Sequence, residues 1–122
     1  MGDVIIVEDD LLLAKLFEKR LISLGYNVIQ EWVTTGEAAV RSIVKYKPDL
    51  VLMDIKIQGK VDGIEAVKRA RQQVDFPVIF MSGNSEPIMK ERASDTEYLA
   101  YLNKPFSMED LEEALQKLYC NS

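Results

Sequence analysis

The sequence predicts an α/β domain, a single doubly wound parallel sheet of five strands flanked by five helices. Three observations predict it. First, four short apolar runs each end at polar residues. They are Val4-Ile5-Ile6-Val7 before Glu8-Asp9-Asp10, Val51-Leu52-Met53 before Asp54, Val78-Ile79-Phe80-Met81 before Ser82, and Leu99-Ala100-Tyr101-Leu102 before Asn103-Lys104. Runs of this length read as strands buried on both faces. Second, the stretches between them carry apolar residues at helical spacing, and alternating strands and helices imply parallel strands joined by right-handed crossovers. Third, no linker, repeat or low-complexity stretch interrupts the 122 residues, which are enough for one full core.

Taken in order, strand one is Asp3 to Val7. The helix after it has Leu13, Leu16, Phe17, Leu21 and Leu24 on its inner face, and Gly25 is its C-cap signal. Tyr26 to Glu31 alternates like a strand but is more polar, which places it at a sheet edge. Thr34-x-x-Glu37 reads as a capping box opening helix two, with Val40, Ile43 and Val44 inward and Pro48 as its stop. Strand three ends at Asp54. A loop around Gly59 to Gly63 leads into helix three, which starts at Ile64 and ends near Gln73. Strand four follows Pro77, and Glu86 to Ser94 forms a weaker, shorter helix. Strand five is stopped by Lys104-Pro105. Ser107-x-x-Asp110 caps the last helix, whose inner residues are Leu111, Ala114, Leu115 and Leu118.

Composition narrows the function. A formal net charge of −5, with basic residues scattered, argues against a direct nucleic-acid partner or a membrane patch. No apolar run approaches membrane-spanning length, and the N-terminal apolar segment is too short and too quickly followed by acids to read as a secretory leader. Ile6 stands where a myristoylation signal needs Ser or Thr. One cysteine, Cys120, makes no internal disulfide and fits a reducing cytoplasm. The absence of histidine excludes histidine ligands, histidine bases and an internal phosphohistidine.

The strand ends carry the chemistry. In a doubly wound sheet, ligands bind outside the carboxyl ends of the strands at a topological switch point. There Glu8, Asp9 and Asp54 are expected to meet, and three clustered carboxylates call for a counter-charge. A hard divalent cation such as Mg²⁺ supplies it. Lys104 adds a second cation and Ser82 a hydroxyl, an ensemble suited to phosphoryl transfer with Asp54 as nucleophile. Each part has a plainer reading: Asp9 or Asp10 caps helix one, Asp54 is a loop acid, Ser82 makes a turn, and Lys104 is a surface lysine. Their coincidence at four strand ends is what favours a site. Trp32 is read as a packing residue.

Together these residues resemble a response-regulator receiver domain, the phosphoacceptor half of two-component signalling. The resemblance covers the whole chain, residues 1–122. It rests on the acidic pair Glu8-Asp9, the phosphorylatable Asp54, Ser82 before the small Gly83, Lys104-Pro105-Phe106, and Tyr101 three residues before the lysine. It implies a flavodoxin-like sheet of strand order 2-1-3-4-5 and a cis bond before Pro105. It implies that Asp9 and Asp54 ligate Mg²⁺, with Glu8 acting mostly through water and the Lys56 backbone carbonyl completing the set. Ser82 and Lys104 would bind phosphoryl oxygens, and Ser82 and Tyr101 would act as switch residues. Lys56 and Asn84, two residues past Asp54 and Ser82, would tune hydrolysis. The implied donor is a histidine kinase or histidine phosphotransfer protein. The implied output is a helix 4–strand 5–helix 5 face that engages a downstream protein or domain, or a second phosphorylated copy.

Two departures from the family pattern stand out. Gln58 occupies a position where many receivers have proline, and Asp62-Gly63 falls about one residue later than usual, so a differently shaped loop is expected after strand three. Two other functions compete with the switch. One is a receiver that docks without phosphorylation. The other is an aspartate-nucleophile Mg²⁺-dependent phosphatase of the haloacid dehalogenase type, disfavoured because Lys56 stands where that family needs a second aspartate.

Overall fold

In the structure, a computed structural model, the backbone is described for residues 2–29, 32–83 and 87–120, and side chains for the same residues except 87–89 and 119–120. The elements run β1 (Asp3–Val7), α1 (Leu11–Ser23), β2 (Asn27–Val28), α2 (Gly36–Tyr46), β3 (Leu50–Asp54), α3 (Gly63–Ala70), β4 (Val78–Ser82), α4 (Pro87–Ala93), β5 (Ala100–Asn103) and α5 (Met108–Cys120). The strands form one parallel sheet in the order β2-β1-β3-β4-β5.

Every residue of β3 and β4 is buried, as continuous apolar runs in a sheet covered on both faces must be. Alternate side chains serve two separate cores. Ile5, Val7, Val51, Met53, Val78 and Phe80 pack with α2, α3 and α4 through residues such as Ile43, Ile64, Val67 and Ala93. Val4, Ile6, Leu50, Leu52, Ile79 and Met81 pack with α1 and α5 through Phe17, Leu21, Leu111 and Leu115. The period of two along each strand sorts the residues between the cores.

Local chemistry sets the helix ends. Asp10 caps α1 by accepting from the Leu12 and Leu13 amides at 3.0 and 3.3 Å. Gly25, with φ of 97°, ends it in a Schellman motif: its amide bonds the Ile22 carbonyl, and the Tyr26 amide bonds that of Leu21. Ser107 and Asp110 form the expected reciprocal box before α5. The Lys104-Pro105 bond is cis.

Several boundaries and faces differ from expectation. The cap of α2 is Thr35, whose hydroxyl accepts from Ala38 N at 3.1 Å, rather than Thr34. Leu16 is 54% exposed, because the face of α1 that meets the sheet is a narrow one centred on Phe17 and Leu21. Helix α3 ends at Ala70, and residues 71–73 continue as turns. The edge strand β2 pairs only through Asn27 and Val28, and Gln30 and Glu31 of the expected strand lie outside the described residues. Helix α4 starts at Pro87, and Glu86 likewise lies outside them.

Candidate functional site

Strand β1 delivers Glu8 one residue past its end, and β3 delivers Asp54 as its last residue. The pairing of Val7 with Met53 brings the two ends level. Because Asp10 is used as the cap of α1, Asp9 is left at the mouth of the site. Carboxylate oxygens of Glu8, Asp9 and Asp54 lie within 4.8 Å of one another. Glu8 is 1% exposed and Asp54 4%.

Lys104, just beyond β5, is the cation of this cluster. Its Nζ lies 2.5 Å from Glu8 Oε1 and 3.2 Å from Asp54 Oδ2. Burial, followed by the neighbouring carboxylates, pushes Glu8 above the ordinary carboxylate range. Burial and the adjacent Glu8 do the same to Asp9. Burial alone would lower the Lys104 pKa, but its bonds to Glu8 and Asp54 outweigh this and raise it. One ammonium facing three carboxylates leaves the cluster short of positive charge. Three hard oxygen donors around that deficit suit a divalent cation such as Mg²⁺.

Ser82 ends β4, fully buried, and its carbonyl accepts from the Lys104 amide at 2.7 Å. The hydroxyl-bearing and amine-bearing residues are therefore joined by one backbone bond beside Asp54. Lys56 is exposed in the loop after β3. Asn84 lies outside the described residues. Tyr101 is half-buried against Phe80 and Tyr98, at ring distances of 6.4 and 6.0 Å, and the Lys90 ammonium stands 6.0 Å from its ring centre. Its hydroxyl is buried and has no hydrogen-bond partner among the described residues.

The loop between β3 and α3 is held tightly. A β-carbon at Gly63 would stand 2.4 Å from the Asp54 carbonyl oxygen, so only glycine lets α3 start this close to the end of β3. The carboxylate of Asp62 caps α3 through Glu65 N at 2.9 Å, and its other oxygen pairs with Arg92 of α4 at 2.8 Å. Glu37 accepts from the Val61 amide at 3.1 Å, so this acid ties the loop to α2 instead of closing a capping box. Phe106 stacks on Phe17 at 5.6 Å, fixing the segment after Lys104 against α1.

Two of these contacts are not legible in the sequence. Trp32 is 56% exposed, not packed away, and its indole N–H donates to the Glu8 carbonyl at 3.0 Å. The Glu37–Val61 bond depends on a loop path that no local pattern encodes.

The response regulator receiver domain profile matches residues 4–116. The chain belongs to the response-regulator receiver family. Transcriptional regulatory protein PdtaR of Mycobacterium tuberculosis is 35% identical to this receiver over 113 residues, 93% of the chain and 54% of PdtaR. The receiver thus spans about half the length of that curated relative. Among solved structures, the receiver domain of a modulated diguanylate cyclase from Desulfovibrio desulfuricans G20 superposes with a TM-score of 0.87 at 31% identity, covering 100% of this chain and 99% of that one. The receiver domain of sensor histidine kinase PA1611 from Pseudomonas aeruginosa PAO1 matches with a TM-score of 0.78 at 29% identity and covers 96% of each chain. That structure holds a magnesium ion coordinated in its active site cleft. The expected family, flavodoxin-like fold and strand order hold for this receiver. No helix among its described residues is long and apolar enough to cross a membrane.

Proposed function

We propose that this receiver is a switch that accepts a phosphoryl group on Asp54. The observation that carries the reading is Lys104 Nζ within hydrogen-bond reach of both Glu8 and Asp54, beside Asp9, at the carboxyl edge of the sheet. The donor is a phosphohistidine of a histidine kinase or phosphotransfer protein, since this chain has no histidine. An Asp54 carboxylate oxygen attacks phosphorus; a P–O bond forms, the donor's P–N bond breaks, and the imidazole leaves.

Asp9, Asp54 and the Lys56 carbonyl would hold Mg²⁺, with Glu8 acting through water. When bound, Mg²⁺ supplies neutralisation of the charge on the phosphoryl oxygens. Lys104 and the Ser82 hydroxyl contact those same oxygens, and Lys56 and Asn84, two residues past Asp54 and Ser82 in sequence, tune how long the phosphoryl group survives. Its arrival redistributes the Lys104 contacts, and the bond from Lys104 to Ser82 carries the change into β4 and β5. Ser82 and Tyr101 respond, altering the α4–β5–α5 face that meets a downstream protein, a further domain or a second copy. The switch is a local charge change biasing a two-state element.

Intact mass after incubation with Mg²⁺ and acetyl phosphate tests the reading. One added phosphoryl group in the wild type, absent from Asp54→Asn and absent with EDTA, is the expected result. If no adduct survives, Mg²⁺-dependent beryllofluoride binding distinguishes fast hydrolysis from inability. Failure of both leaves a receiver that docks without phosphorylation.

A further inference from the structure

We infer that Trp32 is a positioning residue for the acidic cluster, holding the backbone of Glu8 so that Glu8 and Asp9 present their carboxylates to Mg²⁺. The inference rests on the phosphoacceptor reading above and concerns how the site is kept ready.

Glu8 is gripped on both sides by one short segment. Its amide donates to the Val33 carbonyl at 3.1 Å, and its carbonyl accepts from the Trp32 indole at 3.0 Å. The two bonds fix the peptide planes before and after Glu8, and the second of these planes also carries the Asp9 amide. Both acids therefore leave the backbone from a held peptide. Val7 also bridges to Val33, which extends the pairing beyond the edge strand.

The same segment reaches the other side of the site. Thr35 bridges to Gln58, and Glu37 accepts from Val61 N. A β-carbon at Gly36 would meet the Val61 carbonyl at 2.1 Å, so the segment runs directly against the loop that follows Asp54. Residues 32–37 thus act as a splint across the two loops that flank the cluster, and Trp32 is its side-chain contact with Glu8, beside the backbone bond from Glu8 to Val33. A tryptophan serving as core would be buried, but this one keeps more than half its surface in solvent. Its hydrogen bond to Glu8 is therefore the contact to test. Groups that orient metal ligands without touching the metal commonly set affinity.

The chain has a single tryptophan, so benzothienylalanine, which replaces the indole N–H with sulfur and keeps the ring shape, can be placed at this position alone. Mg²⁺ titrations by calorimetry would compare wild type, Trp32→Phe and the benzothienylalanine form, with urea unfolding of each in EDTA. The expected result is a Kd for Mg²⁺ raised about three- to tenfold in both altered forms, with the Mg²⁺-free urea midpoint of the benzothienylalanine form within error of wild type. The wild-type indole N–H resonance is expected to exchange slowly with solvent and to shift on Mg²⁺ addition. Wild-type affinity in the benzothienylalanine form overturns the inference, whether or not Trp32→Phe is impaired, because the effect would then belong to ring packing. A raised Kd matched by lost stability in EDTA also overturns it. If wild type binds no Mg²⁺, the phosphoacceptor reading itself falls, an outcome distinct from equal binding by all three forms.

Discussion

The Lys104 amide donates to the Ser82 carbonyl at 2.7 Å, while the Lys104 ammonium spans Glu8 and Asp54. One residue therefore connects the ends of β1, β3 and β4 from its place after β5. Replacing it with methionine keeps the stem but leaves Glu8 and Asp54 without their shared cation. Lys104→Met is expected to cost about 1–3 kcal/mol in Mg²⁺-free protein at neutral pH. Urea unfolding should show the loss shrinking when Mg²⁺ is added, because the ion supplies the missing charge.

The pH dependence of the cluster has a definite sign. Burial and neighbouring carboxylates raise Glu8 and Asp9 in the folded, Mg²⁺-free protein. A carboxyl raised by folding stabilises while protonated, and that contribution is lost as pH rises through its folded value. Glu8 and Asp9 therefore oppose the Mg²⁺-free fold increasingly as the pH rises. Asp9→Asn removes part of this opposition, so its Tm in EDTA should exceed wild type at pH 8, with the gap narrowing as the pH falls. Added Mg²⁺ should stabilise wild type at pH 8 and do so progressively less as the pH falls, because protons compete with the metal at Glu8 and Asp9.

Neighbouring threonines separate the observed cap of α2 from the one read in the sequence. Thr35→Ala is expected to cost about 1 kcal/mol, typical of a lost N-cap. Thr34→Ala should stay within about 0.5 kcal/mol. Equal losses in denaturant melts would contradict the cap geometry.

Gly63→Ala places a methyl group against the Asp54 carbonyl oxygen, the Ile55 Cα and the Met53 side chain. Two of these three neighbours are backbone and cannot rotate away. The expected cost is about 1–3 kcal/mol, as for overpacked cores. Because the clash falls on the proposed phosphoacceptor, phosphorylation by acetyl phosphate should slow even where the fold survives.

The parts of this receiver legible in the sequence are those written in local chemistry. Buried strands announce themselves as apolar runs, Gly25 and Ser107-x-x-Asp110 mark helix ends, and acids at strand ends converge because parallel strands share a carboxyl edge. The meeting of Glu8, Asp9 and Asp54 follows from that topology. Contacts that depend on the path of a loop were less legible. Thr34 and Thr35 are chemically equivalent caps, and only the backbone conformation before α2 chooses between them. Leu16 fits the helical period, yet the contact face of α1 is narrower than its apolar stripe. Trp32 looked like core because tryptophan usually is, and its bond to Glu8 joins residues that are 24 apart in sequence.

Asp62 has one oxygen on the first turn of α3 and the other on Arg92, near the end of α4. The pair is partly exposed, and such pairs are worth at most about 1 kcal/mol, too little to lock α4. It is a tether between the start of α3 and the last turn of α4. Asparagine at position 62 would keep the oxygen that caps α3 and lose the charge that holds Arg92, so the two jobs of one carboxylate can be taken apart.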